Sequence, residues 1–280
     1  MFLIADSGST KTNWCLVERD KCIDACFTGG MNPFQSGLEE MLHLLETEYT
    51  ISRTGISKIW FYGAGCAFSD KIRIVEDALS RYFGVSEIYI NSDLLAAARS
   101  LCRNEPGLAC ILGTGSNSCY YDGKEIVQNV SPLGYVLGDE GSGNALGRKL
   151  LSDILKNQLP AEIRNEFFDT YRVTTGEILD NVYRKPFPNR YLAQYAKFVA
   201  AHINHPEMQT LARNCFRDFF LRNVMQYESA QQLPVHFTGS IAFYFSDIIK
   251  EIAGEFGLTV GNISQEPMAG LVKYHVKFKI

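Results

Sequence analysis

Short apolar blocks broken by small or charged residues set the rhythm of the first third of the chain. Phe2-Leu3-Ile4-Ala5 is apolar and stops at Asp6; Ser7-Gly8-Ser9-Thr10-Lys11-Thr12 follows, and Trp14-Cys15-Leu16-Val17 is apolar again before Glu18-Arg19-Asp20-Lys21. Strand, tight turn, strand is the pattern of a hairpin. Cys22 to Thr28 reads as a third strand, broken by Gly29-Gly30-Met31-Asn32-Pro33. Leu38, Met41, Leu42 and Leu45 recur at helical spacing. Lys58 to Tyr62 is a strand, and Ile72, Val75, Ala78, Leu79 and Tyr82 mark a helix closed by Gly84. Ile88-Tyr89-Ile90 is a strand that runs through Asn91-Ser92-Asp93 straight into a helix.

The first hairpin then recurs. Ile111-Leu112-Gly113-Thr114-Gly115-Ser116-Asn117-Ser118 aligns Ile4 with Ile111, Gly8 with Gly115, Ser9 with Ser116 and Trp14 with Tyr121; Asp6 faces Gly113. Trp60-Phe61-Tyr62-Gly63-Ala64 is echoed by His236-Phe237-Thr238-Gly239-Ser240, each followed by a helical segment and another strand, the later one Leu258-Thr259-Val260. A fixed order repeated twice marks a duplicated architecture. The polar stretch Arg103 to Gly107 marks the boundary, giving lobes of 1–104 and 105–280. Residues 145–229 read as a mostly helical insertion punctuated by Pro160, Pro186, Pro188 and Pro206, and Met268 to Lys277 as a final helix.

The repeated turns carry the candidate chemistry. Small residues let a backbone approach a ligand and aim several N–H groups at it, and such nests bind anions. Thr10 and Lys11 add a hydroxyl and a cation. Asp6 in an anion site is explained by a cation between them, and Mg²⁺ on a polyphosphate is the usual one; an ordinary Gly-Ser hairpin with a surface acid is the bland alternative. Asn32 either bonds its own turn or a polar ligand. Asp93 either caps its helix or, at the carboxyl end of a parallel strand, takes a proton from a substrate hydroxyl. Asp139 and Glu140, flanked by Gly138 and Gly141, either complement a helix dipole or meet a ligand.

Composition bounds the rest. A chain of 280 residues holds one large domain or two ordinary ones. Net charge of −4 without a basic cluster argues against nucleic acid or a membrane surface as partner. No apolar run approaches the roughly 20 residues of a membrane span, and Phe2-Leu3-Ile4-Ala5 is too short for a signal peptide core. The eight cysteines contain no C-x-x-C pair, so buried reduced thiols in a cytoplasmic enzyme are expected, and a metal at Cys22 and Cys26 is disfavoured. His202 and His205 lack a third ligand nearby. Walker A, G-x-S-x-G and H-E-x-x-H patterns are absent.

Taken together, the motifs resemble the N-acetylglucosamine kinase group, related to the BadF/BadG/BcrA/BcrD-type ATPases, of the actin/hexokinase/Hsp70 superfamily. Asp6 to Thr12 is similar to the first phosphate motif, Gly113-Thr114-Gly115-Ser116-Asn117 to the second, Gly138-Asp139-Glu140-Gly141-Ser142 to the family's G-D-E-G-S, and Phe237-Thr238-Gly239-Ser240 to the adenosine-side turn. The resemblance covers nearly the whole chain. It implies a duplicated actin-like, ribonuclease H-like α/β fold, with ATP and Mg²⁺ in a cleft between two lobes. It implies that Asp93 deprotonates the sugar 6-hydroxyl and that Asn32, Ser116, Asn117, Gly134 and Asp139 hold sugar. It further implies that Gly8, Ser9, Thr10, Lys11, Thr114, Gly115, Gly239 and Ser240 meet the nucleotide, that Ala193 borders the adenine, and that Asp6 acts on Mg²⁺ through water. Two departures stand out. Ser7 and Ser9 occupy positions usually glycine, and the family's G-W-G segment reads Pro132-Leu133-Gly134-Tyr135 here. The expected activity is phosphorylation of an amino sugar, N-acetylglucosamine first, with glucosamine, N-acetylmuramic acid or another hexose open. A dehydratase-activating ATPase and a non-catalytic sugar sensor are the alternatives, and a homodimer stays open.

Overall fold

A computed structural model describes residues 1–8 and 10–278. Its elements run β1 (Phe2–Ser7), β2 (Lys11–Glu18), β3 (Lys21–Gly29), α1 (Leu38–Glu48), β4 (Lys58–Gly63), α2 (Ser69–Phe83), β5 (Ile88–Ser92) and α3 (Asp93–Cys102). Next come β6 (Gly107–Leu112), β7 (Ser116–Tyr121), β8 (Ile126–Val130), α4 (Gly134–Leu137), α5 (Gly143–Leu155), α6 (Ala161–Tyr171), α7 (Thr175–Tyr183), α8 (Pro188–Ala193), α9 (Ala196–Ala201) and α10 (Pro206–Arg222). The chain ends with β9 (Val235–Thr238), α11 (Ser240–Tyr244), α12 (Ser246–Glu255), β10 (Val260–Ser264) and α13 (Met268–Phe278).

Two compact units result. The first holds Met1–Glu105, Asp122–Ile126 and the chain from Glu266 onward; the second holds Pro106–Tyr121 and Val127–Gln265. The last helix therefore packs with the first unit, so the contacts do not divide simply at 104/105.

The duplication is visible in the sheets. The first runs β3-β2-β1-β4-β5 and the second, from its hairpin outward, β8-β7-β6-β9-β10. In each the hairpin is antiparallel and the following strands are parallel. The result is an α/β fold of two mixed five-stranded sheets. In the first unit alternate residues of β1 serve opposite faces. Leu3 and Ala5 join Trp14, Phe61 and the helices α1 and α2, whereas Ile4 joins Trp60, Tyr62, Ala96 of α3 and Leu271 of α13. Asp6 continues the Ile4 side of β1 and pairs in register with Tyr62. The second unit buries a larger core in which Phe220 of α10 meets Phe237 of β9. The expected helical insertion is α5 to α10, followed by a short 3-10 turn at Val224–Gln226.

Two expectations need correction. The strand placed at Leu258-Thr259-Val260 is β10, Val260–Ser264. Leu258 is buried instead, and the Thr259 carbonyl accepts the Val235 N–H at 2.8 Å, just before the strand begins. The eight thiols are not all free. Leu16 pairs with Asp24 but Val17 with Cys22, so Ile23 bulges out of β3, and Cys22 forms a disulfide with buried Cys15 of β2. Cys26, Cys66, Cys102 and Cys215 are free thiols.

Candidate active site

In the first unit, the carboxyl ends of β1, β4 and β5 collect the polar residues. The β1–β2 turn closes with the Gly8 N–H on the Lys11 carbonyl at 3.0 Å. Ser7, which stands where the family usually has glycine, is fully buried. Its Oγ lies 2.8 Å from Thr12 Oγ1 and accepts the Met31 N–H at 3.0 Å. The extra hydroxyl thus ties the hairpin to the loop that carries Asn32. Asn32 is buried, and its Oδ1 accepts the Phe34 N–H at 3.0 Å, the turn geometry expected of an asparagine before proline. Thr10 is exposed, and Ser9 lies outside the described residues.

Asp93 had two readings, and the cap is taken by its neighbour. Ser92 is the N-cap of α3, its Oγ accepting the Leu95 N–H at 3.2 Å. Asp93 is the first helical residue, and its carboxylate accepts its own N–H and the adjacent Leu94 N–H, the latter at 2.9 Å. Burial pushes its carboxyl up to about 6, against those backbone N–H groups. Burial, then the charges of Asp93 and Glu266, push Asp6 up to about 7, with Lys11 opposing. Glu266 carries no motif and was missed by sequence reasoning. It leads into α13, pairs with Lys11 and accepts the Asn13 amide at 3.2 Å. Lys11 also lies 4.9 Å from the Phe27 ring centroid, so in this structure its charge is engaged within the first unit.

The second unit's hairpin is held differently. The Gly113 N–H donates to the Gly115 carbonyl at 2.9 Å, and the Gly113 carbonyl accepts the Gly143 N–H at 2.8 Å. Asp139 is buried; its Oδ1 accepts the Ser116 N–H at 3.1 Å and its Oδ2 the Asn144 amide at 2.9 Å. Its pKa is raised, first by burial, with those two hydrogen bonds opposing. Asn144 also donates its amide to the Thr114 carbonyl at 2.8 Å, and it follows Ser142, the N-cap of α5. Asn117 bonds its own strand through Ser118 and takes the Asn129 amide at 3.0 Å. Glu140 turns the other way, to Arg222 at 2.6 Å.

Ala193 ends α8, with its Cβ 3.2 Å from where a Cβ on Gly143 would lie, beside the second hairpin. Gly239 has φ +115°, and a Cβ there would sit 2.3 Å from the Leu112 carbonyl; only glycine lets the β9–α11 turn lie against the end of β6. Ser240 opens a five-residue helix. Gly134 starts the one-turn α4 at the surface. His202 faces Glu166, and His205 faces Glu162 and Glu207. Among the described residues no group of three or more His, Cys, Asp or Glu is arranged to hold a metal, and no helix is long and apolar enough to cross a membrane.

Comparisons with known proteins agree with this geometry. No protein-family model matches the chain. A solved structure from Porphyromonas gingivalis, named "Putative N-acetylglucosamine Kinase", is 44% identical over 100% of both chains, with a TM-score of 0.97. An N-acetylmuramic acid/N-acetylglucosamine kinase of Clostridium acetobutylicum is 26% identical over 252 residues, covering 83% of this chain and 82% of its own. A ROK family glucokinase from Streptomyces griseus, solved with glucose and AMPPNP, shares the fold at 14% identity and a TM-score of 0.57, covering 98% and 97% of the two chains. Two duplicated five-stranded units with a glycine turn at each hairpin define an actin-like sugar kinase. Within that class, the chain belongs to the N-acetylglucosamine kinase family.

Proposed function

We propose that this enzyme transfers the γ-phosphoryl group of ATP to the 6-hydroxyl of an amino sugar, N-acetylglucosamine first. The observation that carries the reading is the state of Asp93. Ser92 takes the cap, and burial leaves the Asp93 carboxyl with a pKa near 6, ionised and basic at neutral pH. In the proposed step Asp93 accepts the hydroxyl proton while the sugar oxygen bonds to the γ-phosphorus. The bond from that phosphorus to the β–γ bridging oxygen breaks, and ADP leaves. Such transfer needs positioning and charge neutralisation more than covalent help.

The remaining roles follow the resemblance. Gly8, Ser9, Thr10, Lys11, Thr114 and Gly115 serve the phosphates, Gly239, Ser240 and Ala193 the nucleoside, and Asn32, Ser116, Asn117, Gly134 and Asp139 the sugar. Asp139 acts at least partly through the backbone, because both its oxygens already hold protein groups. Lys11 must exchange Glu266 for phosphate to serve the nucleotide.

Mg²⁺ fits the first unit. The pKa of Asp6 is raised first by burial and then by the charges of Asp93 and Glu266, which Lys11 offsets only in part. Mg²⁺ is held by one or two carboxylates plus substrate phosphates and water rather than by an all-protein cage. Asp6 is the residue that would hold it, and the ion would neutralise charge developing on the transferred group. The reading also expects a cytoplasmic location, and sedimentation would decide whether the enzyme is a homodimer.

ADP release with Mg-ATP tests the proposal against N-acetylglucosamine, glucosamine, N-acetylmannosamine, N-acetylmuramic acid, glucose and no sugar. Strong stimulation by an amino sugar is expected. Release that ignores every sugar would replace the reading with an activator ATPase.

A further inference from the structure

The Lys11–Glu266 pair joins a side chain that can move to one that is fixed. The Lys11 backbone is held: its carbonyl accepts the Gly8 N–H to close the β1–β2 turn, and β2 pairs it with Gly29 of β3. Its ammonium, on a flexible four-carbon stem, reaches Glu266 Oε1 and lies against the Phe27 ring. Glu266 is held from behind. Pro267 follows it and restricts its backbone to extended conformations. The Pro267 carbonyl accepts the Leu271 N–H at 2.9 Å, and Leu271 is fully buried. A Cβ on Gly270 would lie 2.4 Å from the Ser100 carbonyl, so α13 is seated directly on α3.

The carboxylate is also shared. Glu266 Oε2 accepts the Asn13 amide at 3.2 Å. Lys11 and Asn13 are two apart on β2, so both serve the same side of the strand. When Lys11 swings away, Asn13 still holds Glu266. The broken pair costs little, because the two side chains are 57% and 38% exposed. An ammonium on a carboxylate oxygen makes the same charge-assisted contact that it would make to a phosphate oxygen. Glu266 therefore occupies Lys11 as an anionic ligand of the turn would.

We propose that Glu266 is a positioning residue that competes with the nucleotide: it holds Lys11 beside the hairpin turn in the free enzyme, yields it when phosphate arrives, and takes it back as ADP leaves. The proposal rests on the sugar-kinase reading above and adds to it a residue that no motif marks. Its consequence has a sign. Removing the Glu266 charge strengthens nucleotide binding, because Lys11 no longer has to leave a partner. Loss of a merely structural ion pair would lower stability and leave affinity unchanged or weaker.

The test is the Kd of ADP, by calorimetry in EDTA so that no metal bridges phosphate and carboxylate, for the wild type, Glu266→Gln, Lys11→Met and the double variant. Glutamine keeps an acceptor for the Asn13 amide and removes the charge. Glu266→Gln is expected to bind ADP about two- to fivefold more tightly, the range of one exposed ion pair, and the gain should shrink at high salt. Lys11→Met should bind more weakly than the wild type, and adding Glu266→Gln to it should change nothing. Unchanged or weaker binding by Glu266→Gln overturns the proposal. An equal gain in the Lys11→Met background also overturns it, by assigning the effect to repulsion through space. Lys11→Met binding as the wild type does overturns the exchange and leaves the kinase reading standing. A wild type that binds no ADP even with Mg²⁺ would overturn the kinase reading, and the exchange with it.

Discussion

The two glycine hairpins descend from one pattern and differ in what surrounds them. The first ends in a half-buried acid, Asp6, whose neighbours Asp93 and Glu266 are also carboxylates, and burial with mutual repulsion lifts its pKa to about 7. The second has Gly113 at that position, and Asp139 beside it is spent on the Ser116 N–H and the Asn144 amide. One hairpin gathers carboxylates, which in the proposed mechanism serve a cation and a reacting hydroxyl; the other is braced to hold its shape. The scaffold occurs twice, and the proposed chemistry falls to the copy that gathers the carboxylates.

Substituting the two acids should separate these roles. The largest effect belongs to Asp93→Ala, which should reduce turnover about 10²–10⁴-fold, the usual size of a general-base loss, while sugar binding persists in calorimetry. Asp139→Ala should act on the fold instead. It strands a buried N–H and a buried amide, at about 3 kcal/mol together, seen as a lower denaturation midpoint. If Asp139→Ala left the midpoint unchanged, the bracing role would be wrong.

The pH dependence sharpens the contrast. Asp6 and Asp93 have native pKa values raised above their unfolded ones. Native protein therefore holds more protons than unfolded protein between about pH 4 and 7, and stability contributed by this pair is full below pH 4 and falls as pH rises to 7. Asp6→Asn should flatten that slope in denaturant titrations of the ligand-free enzyme. Mg-nucleotide should flatten it as well, by favouring the ionised form. The smallest effect is expected of Ser92→Ala. Loss of the cap costs about 1 kcal/mol, and Asp93 would be drawn toward the vacant helix N–H groups, so turnover should fall further than stability. Equal losses in Asp93→Ala and in the double variant Ser92→Ala/Asp93→Ala would show that Ser92 acts through Asp93.

How much of this could be read in advance depends on the range of the interaction. The repeat of Ile4 to Trp14 at Ile111 to Tyr121 carried the sheet order, because strand and turn chemistry are local. The glycine at 239 was legible as a turn, and its φ of +115° against the Leu112 carbonyl gives the reason. Glu266 was not legible: it reaches Lys11 and Asn13 from the far end of the chain, and no local pattern encodes such a pairing. Asn144 was not legible either, because its bonds to Thr114 and Asp139 depend on how a glycine loop folds back. The choice between cap and base at Asp93 turned on one residue, since Ser92 and Asp93 are both good caps. The Cys15–Cys22 link stayed hidden because it depends on the bulge at Ile23.

The most direct test of the central claim is phosphorus NMR of the products formed from Mg-ATP and N-acetylglucosamine. The account predicts a phosphate monoester on the sugar's C6 oxygen, appearing in step with ADP in the wild type and nearly absent with Asp93→Ala. Inorganic phosphate formed without a sugar ester, or a sugar ester formed at near wild-type rate by Asp93→Ala, would contradict it.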